Sequence, residues 1–289
     1  MTGVFEFAPA KVNLCLHITG RRQDGYHLLD SLVAFADVGD DLHFASASEH
    51  SLKVTGPYAG ALSDEPDNLI TRAARALGTA VPEASIGLEK RLPVAGGIGG
   101  GSANAAAALR GLLKLSGESE VSPDALAALA LRLGADVPAC LESRFLRMRG
   151  IGEDIDPLQP LPPVPAILVN PGIPVPTGPI FKALALEKGS AANEGVGEIP
   201  ARGFPDVNAL AAWLLERRND LQPPAVSLVP DLNRVLTAIY EQDGCLLSRM
   251  SGSGATCFGL FENSESAERA AELLAAENPA WWSVPTTFR

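Results

Sequence analysis

Three features of the chain have residue types and spacing that suit chemistry: a glycine run, one carboxylate and one lysine. The run Pro93-Val94-Ala95-Gly96-Gly97-Ile98-Gly99-Gly100-Gly101-Ser102 holds five glycines in the six positions from Gly96 to Gly101. Without a Cβ, glycine reaches positive φ, so successive backbone N–H groups can converge on an anion. The next residues, SANAAAALRGLL, read as a helix, whose N-terminal dipole points at the same spot. Strand, glycine loop and helix together make a phosphate cradle. A flexible surface loop is the plain alternative, but the flanks are apolar and lack the serine, glutamine and lysine of a linker. No GxxxxGK[ST] occurs, no GxGxxG lies in this stretch, and no HRD or DFG follows. P-loop NTPases, dinucleotide enzymes and protein kinases are therefore disfavoured.

The carboxylate is Asp136, in Gly134-Ala135-Asp136-Val137-Pro138, where a helix opened by Ser122 and Pro123 stops at Gly134. At such a junction an aspartate can serve a reacting hydroxyl or simply pair with its own turn. The lysine is Lys11, a lone cation in a run where Val12, Leu14, Leu16 and Ile18 alternate with Lys11, Asn13, Cys15 and His17. Period-2 alternation predicts a strand with Lys11 and Asn13 on one face. A solvent face is the usual explanation, yet Asn13 and Cys15 are unlike surface residues.

The elements that must position these groups follow in order. A polar turn, Gly20 to Gly25, leads to a second strand over His27–Val38, and short strands at Asp41–Ala45 and Leu52–Thr55 are expected to continue as a meander. Asp67 opens a helix burying Leu69, Ile70, Ala73, Ala74 and Leu77 and closed by Gly78. A strand over Ser85–Leu92 enters the glycine loop, and a helix runs from Ser102 to about Leu115. The proline-dense stretch around Leu161–Pro165 reads as a linker, dividing the chain into domains 1–158 and 159–289. The second half alternates elements: a strand at Ala166–Asn170, helices near Val207–Glu216 and Leu228–Asp243, strands at Leu246–Met250 and Thr256–Phe261, a helix over Ser264–Ala276 and a last strand near Ser283–Phe288. That is an α+β sandwich pattern. Gly189 to Pro200 reads as a mobile loop.

The chain's 289 residues are 46% hydrophobic and 20% charged, the balance of a packed globular protein. Twenty-three basic against 34 acidic residues give a net charge of −11. That disfavours nucleic acid and anionic membranes as partners, though a small polyanion needs only a local cationic site. Four scattered cysteines, with no signal peptide and no apolar run long enough to span a bilayer, make the cytoplasm the expected compartment.

Seven segments, in this order, carry a resemblance: APAKVNLCLHITGRRQDGYH, DNLI, KRLPVAGGIGGGSANAA, LGADVPA, GIGE, NPGIPVPTGPIF and MSGSGATCF. Together they resemble the GHMP kinase superfamily, and within it the branch acting on a cytidine-diphosphate-linked methylerythritol in non-mevalonate isoprenoid synthesis. The resemblance implies a two-domain α+β fold: an N-terminal ribosomal-protein-S5-like α/β domain, a C-terminal ferredoxin-like sandwich, and an active site in the cleft between them. It implies ATP and Mg2+, a small-molecule substrate, and a monomer or weak homodimer. By the same likeness Asp136 is the base for the substrate hydroxyl, and Lys11 stabilises the developing charge. Asn13 points into the cleft, Tyr26 stacks on cytosine, His27 hydrogen-bonds to it, Phe181 closes the stack and Thr177 is a polar contact. ATP falls to Asn68, Lys90, Pro93, Gly96, Gly97, Ile98, Gly99, Gly100, Gly101 and Ser102, with Ser102 also the candidate Mg2+ contact. Ser251-Gly252-Ser253-Gly254 is expected to pack beside the first loop.

Two departures stand out. Ala103 occupies a position where serine is common, and the stretch Ala139–Arg149 carries arginines where small residues are usual. The competing readings are a sibling kinase for mevalonate, homoserine or a sugar, and a non-catalytic regulator. Tyr26, His27 and Phe181 argue against the first, since a base-free alcohol offers nothing to stack. The intact glycine loop and Asp136 argue against the second.

Overall fold

A computed structural model describes residues 3–62, 67–117 and 121–289. In chain order the elements are β1 (Val4–Arg21), β2 (His27–Ser46), β3 (Ser51–Thr55), α1 (Leu69–Leu77), β4 (Ala84–Glu89), α2 (Gly100–Ser116), α3 (Pro123–Leu133), α4 (Val137–Glu142), β5 (Leu146–Gly150) and β6 (Asp154–Pro157). They continue with β7 (Val164–Asn170), α5 (Thr177–Ala183), α6 (Val207–Leu215), α7 (Gln222–Leu228), α8 (Asp231–Tyr240), β8 (Cys245–Met250), β9 (Cys257–Phe261), α9 (Ser264–Glu277) and β10 (Trp282–Phe288).

Two compact units emerge, interleaved in sequence: Met1–Ala10, Val38–Val94 and Gly99–Ser143 form one, and Lys11–Asp37, Ala95–Ile98 and Arg144–Arg289 the other. β1 and β2 each run through both, and the glycine loop changes unit between Ile98 and Gly99.

In the first unit β4 pairs antiparallel with β2 and parallel with β3. The expected meander is thus corrected. Asp41–Ala45 is no separate strand but the end of a 20-residue β2, and β3 pairs with β4, which arrives later in sequence. Gly39 lets β2 continue, since any Cβ there would collide with the Ala8 carbonyl. Helix α1 is capped by Asn68, whose Oδ1 accepts from the amides of Ile70 and Thr71 at 3.0 and 3.1 Å. Asp67, the expected start, instead pairs with Arg75 at the surface. Of the expected face Ile70, Ala73, Ala74 and Leu77 are buried, while Leu69 at the first turn is half-buried. Ser122 caps α3 through the Ala125 amide, with Pro123 in its first turn and Gly134 at its end.

In the second unit β10, β7, β9 and β8 form an antiparallel run in that order. With helices between β7 and β8 and between β9 and β10, this is the ferredoxin-like β-α-β-β-α-β arrangement that was expected. Helices α8 and α9 pack on the sheet over Ile167, Val169, Val235, Ile239, Phe261, Ala270 and Leu274. The arginine-bearing stretch runs into β5, and β6 follows it; the sequence reading anticipates neither strand, and β5 pairs with both β2 and β6.

The segment from Gly189 is not an untethered loop. Gly189 N donates to Arg21 O, Arg21 N to Ser190 O, Ala192 N to Thr19 O and Asn193 N to Ile18 O. Backbone groups of β1 take up its donors and acceptors as a partner strand would, and low apolar content conceals such main-chain anchoring. All four cysteines are free thiols. Among the described residues no helix is long and apolar enough to cross a membrane.

Candidate active site

The first half of the glycine loop is built into the second unit by three neighbours. The Lys11 amide donates to Ile98 O at 2.9 Å, and the Thr256 amide donates to Gly96 O at 2.9 Å. Ser251, fully buried, bridges the rest: its Oγ accepts from the Asn13 amide and donates to Gly97 O, both at 3.0 Å. Gly97 has φ +72°, and a Cβ there would stand 2.5 Å from Gly254 O and 2.7 Å from Ser251 O. Only glycine meets both demands. The expectation that Ser251–Gly254 packs beside the first loop is met, through Ser251 above all.

Behind this junction, residues absent from the sequence reading hold the second loop. Asn219 Nδ2 donates to Met250 O and Gly252 O at 2.8 and 2.7 Å. Asn170 Nδ2 donates to Thr256 Oγ1 at 2.9 Å. The buried Arg249 guanidinium donates to the carbonyls of Leu14, Leu214 and Arg217, and burial lowers its pKa to about 10. A polar side chain in an otherwise apolar segment is the one signal that could have found them: Asn170 after Ala-Ile-Leu-Val, and Arg249 inside Leu-Leu-Ser-Arg-Met.

The second half of the loop opens α2 in the first unit. Gly99 is its N-cap and offers no side-chain bond to the helix amides. The first turn thus presents N–H groups and the positive end of the dipole. Helix α2 begins at Gly100, two residues before the predicted start, so the glycines are themselves its first turn. Ser102 Oγ lies 4.0 Å from where a Cβ on Gly134 would stand, two residues before Asp136. The structure thus brings Ser102 to the Gly134–Pro138 junction. Asp136 is the N-cap of α4, half-buried, and its carboxylate makes no capping bond to that helix.

Lys90 and Asn68 have structural employment in the same unit. Lys90, 2% exposed, places Nζ 2.6 Å from Oδ2 of the fully buried Asp40, whose Oδ1 accepts from the amides of Arg91 and Leu92. Burial pulls the Lys90 pKa down, and Asp40 pulls it back up. The ammonium is 3.4 Å from the Cβ position of Gly100, so it abuts the first turn of α2. Pro93 is buried just ahead of the loop.

On β1, Lys11 and Asn13 are buried, at 3% and 1% exposure, which removes the solvent-face explanation. Asn13 Nδ2 donates to Ser31 Oγ at 2.7 Å. On β2, the His27 ring lies 5.0 Å from that of Phe181, tilted by 34°. His27 Nε2 is buried without a hydrogen-bond partner. Burial, then Arg21, lower the pKa of His27, so the imidazole is neutral near pH 7. Tyr26 presents its ring to solvent, and Phe181 meets His27 rather than Tyr26. Thr177 begins α5, with its hydroxyl 3.0 Å from Ser253 Oγ.

The uncapped N-terminus of α2, whose first turn opens on Gly100 and Gly101, fits an anion such as a polyphosphate. Among the described residues there is no cluster of three His, Cys, Asp or Glu side chains fit to hold a metal ion. The hydroxyl of Ser102, in the first turn of α2, is a hard oxygen of the kind Mg2+ accepts, an ion that takes one or two protein ligands and completes its shell with phosphate and water.

The pattern of the GHMP kinases N-terminal domain matches residues 68–144, and that of the GHMP kinases C-terminal domain residues 198–280. A protein of Cereibacter sphaeroides named 4-diphosphocytidyl-2-C-methyl-D-erythritol kinase is 54% identical over 96% of this chain and 97% of its own. One of the same name from Paramagnetospirillum magneticum is 50% identical over 99% and 98%. The solved 4-(cytidine 5'-diphospho)-2C-methyl-D-erythritol kinase superposes with a TM-score of 0.78 at 36% identity, covering 98% of both chains. Homoserine kinase from Cytophaga hutchinsonii, at TM-score 0.67 and 20% identity, shares the fold. With both domain patterns matched and half its residues shared along nearly its whole length, the chain belongs to the GHMP kinase family.

Proposed function

We infer that this chain transfers the γ-phosphoryl group of ATP to the 2-hydroxyl of 4-diphosphocytidyl-2-C-methyl-D-erythritol. The observation that carries the reading is the 54% identity, over 96% of the chain, to a kinase of that name. The likeness to homoserine kinase supports the fold and not that substrate.

Phosphoryl transfer asks a protein mainly for positioning and charge neutralisation. The amides of Gly96–Ser102, at the start of α2, hold the nucleotide phosphates. Asp136 accepts the proton of the attacking hydroxyl, as a carboxylate within hydrogen-bond reach can. Lys11, buried and therefore little screened, stabilises the negative charge that develops. Mg2+, which Ser102 would help to hold, would supply charge neutralisation at the phosphates. Lys90 and Asn68 shape the nucleotide side from beneath, one against the first turn of α2 and the other as the cap of α1.

For the substrate, the neutral His27 offers its unpartnered Nε2 to the cytosine edge. Tyr26 and Phe181 supply aromatic faces, each worth about 1–3 kcal/mol per stacked base. Asn13 and Thr177 add polar contacts. The acting form is a monomer or weak homodimer in the cytoplasm.

The test is a coupled assay of ADP release with the purified chain, offering the cytidine-bearing alcohol, mevalonate, homoserine and a sugar. Turnover of the first alone is expected; preference for a base-free alcohol would overturn the substrate assignment.

A further inference from the structure

The arginines of β5 are the sequence departure that the proposed reaction leaves unused. Two roles are open to a pair of cations on one strand face: binding an anion, or holding the backbone. Arg147 and Arg149 are both committed to carboxylates. Arg149 pairs with Asp154 and Asp156 at 2.8 and 2.7 Å. Arg147 grips Asp30 with two parallel bonds, Nε to Oδ1 at 2.7 Å and Nη2 to Oδ2 at 2.6 Å. Three acids against two arginines leave no surplus positive charge for a phosphate. The anion-binding reading fails on that count.

The holding role has geometry behind it. Asp30 is 4% exposed, and its Oδ2 also accepts from the Val196 amide at 2.9 Å. A Cβ on Gly195 would collide with that oxygen, so this approach requires glycine there. One carboxylate therefore ties three segments: β2, β5 and the strap 189–198. In register Asp30 faces Arg149 and Leu32 faces Arg147, so the ion pair is a diagonal brace that a slip of the strands would break. The strap is anchored at its far side as well, since Arg217 Nε donates to Val196 O and the Glu194 carbonyl meets His17 Nδ1. A cavity of about 490 Å3, lined in part by Leu28, Asp30, Arg147 and Glu194, opens beside the brace. The backbone there has room to move once the brace is lost.

β2 carries the substrate-side residues on either side of Asp30. His27 lies three positions before it, and Ser31, the partner of the Asn13 carboxamide, follows it directly. The bonds of Asp30 described above run to Arg147 and Val196, and none of them to the glycine loop. We propose that Asp30 and Arg147 are positioning residues for recognition of the cytidine-bearing substrate, bracing β2 against β5 and the strap so that His27 and Asn13 keep their places. This rests on the substrate reading above.

The experiment is calorimetric binding of two probes, cytidine 5'-diphosphate and ADP, to wild type, Asp30→Asn and Arg147→Lys, with steady-state KM for both substrates. Asp30→Asn keeps shape and an acceptor for Val196 but loses the charge. It is expected to weaken cytidine diphosphate and raise the alcohol KM about tenfold, with ADP affinity and the ATP KM within twofold. Arg147→Lys, which keeps charge but only one directed bond, should fall between. If Asp30→Asn does not fold, Arg147→Lys carries the test alone. Equal weakening of both probes, or no weakening of cytidine diphosphate in a folded variant, overturns the proposal. A wild type that binds ADP but neither binds cytidine diphosphate nor turns over the alcohol would sink the substrate reading itself, and this proposal with it.

Discussion

Ser251→Ala removes one oxygen that links the Asn13 amide and the second loop to the glycine loop. That hydroxyl receives the Asn13 amide and donates to Gly97 O, each at 3.0 Å, in a position with no solvent access. Alanine leaves both partners buried and unpaired, at a cost of about 1–3 kcal/mol for each group. The sum, about 2–4 kcal/mol after partial relaxation, corresponds to a Tm lower by roughly 4–16 °C on the usual scaling for a unit of this size. Function should suffer beyond stability. Gly97 would no longer be pinned from below, and misplacing phosphate-binding amides by about 1 Å costs on the order of 100-fold in rate. Calorimetry and ADP-release kinetics, run well below the variant's Tm, separate the two effects. Ser253→Ala is the internal control: its hydroxyl meets Thr177 at the surface, so its Tm should move by less than about 2 °C. A Ser251→Ala protein with Tm within about 1 °C of wild type and kcat/KM within twofold would refute the claim that this hydroxyl builds the loop.

Gly97→Ala meets both a left-handed backbone and two carbonyl oxygens inside 2.7 Å; kcat/KM should fall by about 100-fold or more, read by the same assay. Asp136→Asn should lower kcat by at least about 1,000-fold with an unchanged circular-dichroism spectrum, and near-wild-type turnover would remove it from the role of base. Lys11→Met, which fills the buried site without the charge, should likewise abolish turnover while KM for either substrate moves little. The pH dependence of stability follows from His17, whose Nδ1 meets Glu194 O while Nε2 accepts from the Arg218 amide, an arrangement only the neutral ring can make. Burial lowers its pKa from 6.5, so the unfolded chain takes up the proton first. Stability should be fully present above pH 6.5 and fall as the pH drops toward the depressed folded value, and His17→Gln should flatten that slope in a Tm-versus-pH series.

Much of this was legible in the residue order because local rules and tertiary demands agreed. Ser122-Pro123 and Gly134 bracket α3 as capping chemistry requires, and the alternation from Val12 to Ile18 is a strand buried on both faces. The glycine run read as a phosphate cradle, and the resemblance put Ser251–Gly254 beside it. What could not be read was the bonding: the Thr256 amide to Gly96 O and the Ser251 hydroxyl to Gly97 O, from partners more than 150 residues away. Similarly, Lys90 was legible as a cation near the loop, but its burial against Asp40 depends on a strand pairing across about 50 residues. β5 hid because Leu-Arg-Met-Arg-Gly alternates with arginines, whose exposure is the usual default; Asp30, far upstream, is what lets Arg147 turn inward. The strap beyond Gly189 hid for a related reason, since its anchors are main-chain groups and carry no side-chain signature.

The interleaving of the two units along the chain has a consequence for how the protein can be made. Ala36 of β2 pairs with Phe288 of β10, and Phe35 and Arg289 exchange amide–carbonyl bonds in both directions, a separation of more than 250 residues. Closing so long a loop costs entropy that only the finished contact repays, which slows folding and exposes the intermediate. A fragment halted near residue 158 would hold the 27–37 segment of β2 with its β10 partner missing, an open strand edge inclined to self-association. Expression as separate halves should therefore yield aggregates, whereas cutting and rejoining the chain at an exposed turn that keeps β2 and β10 on one polypeptide should yield soluble protein.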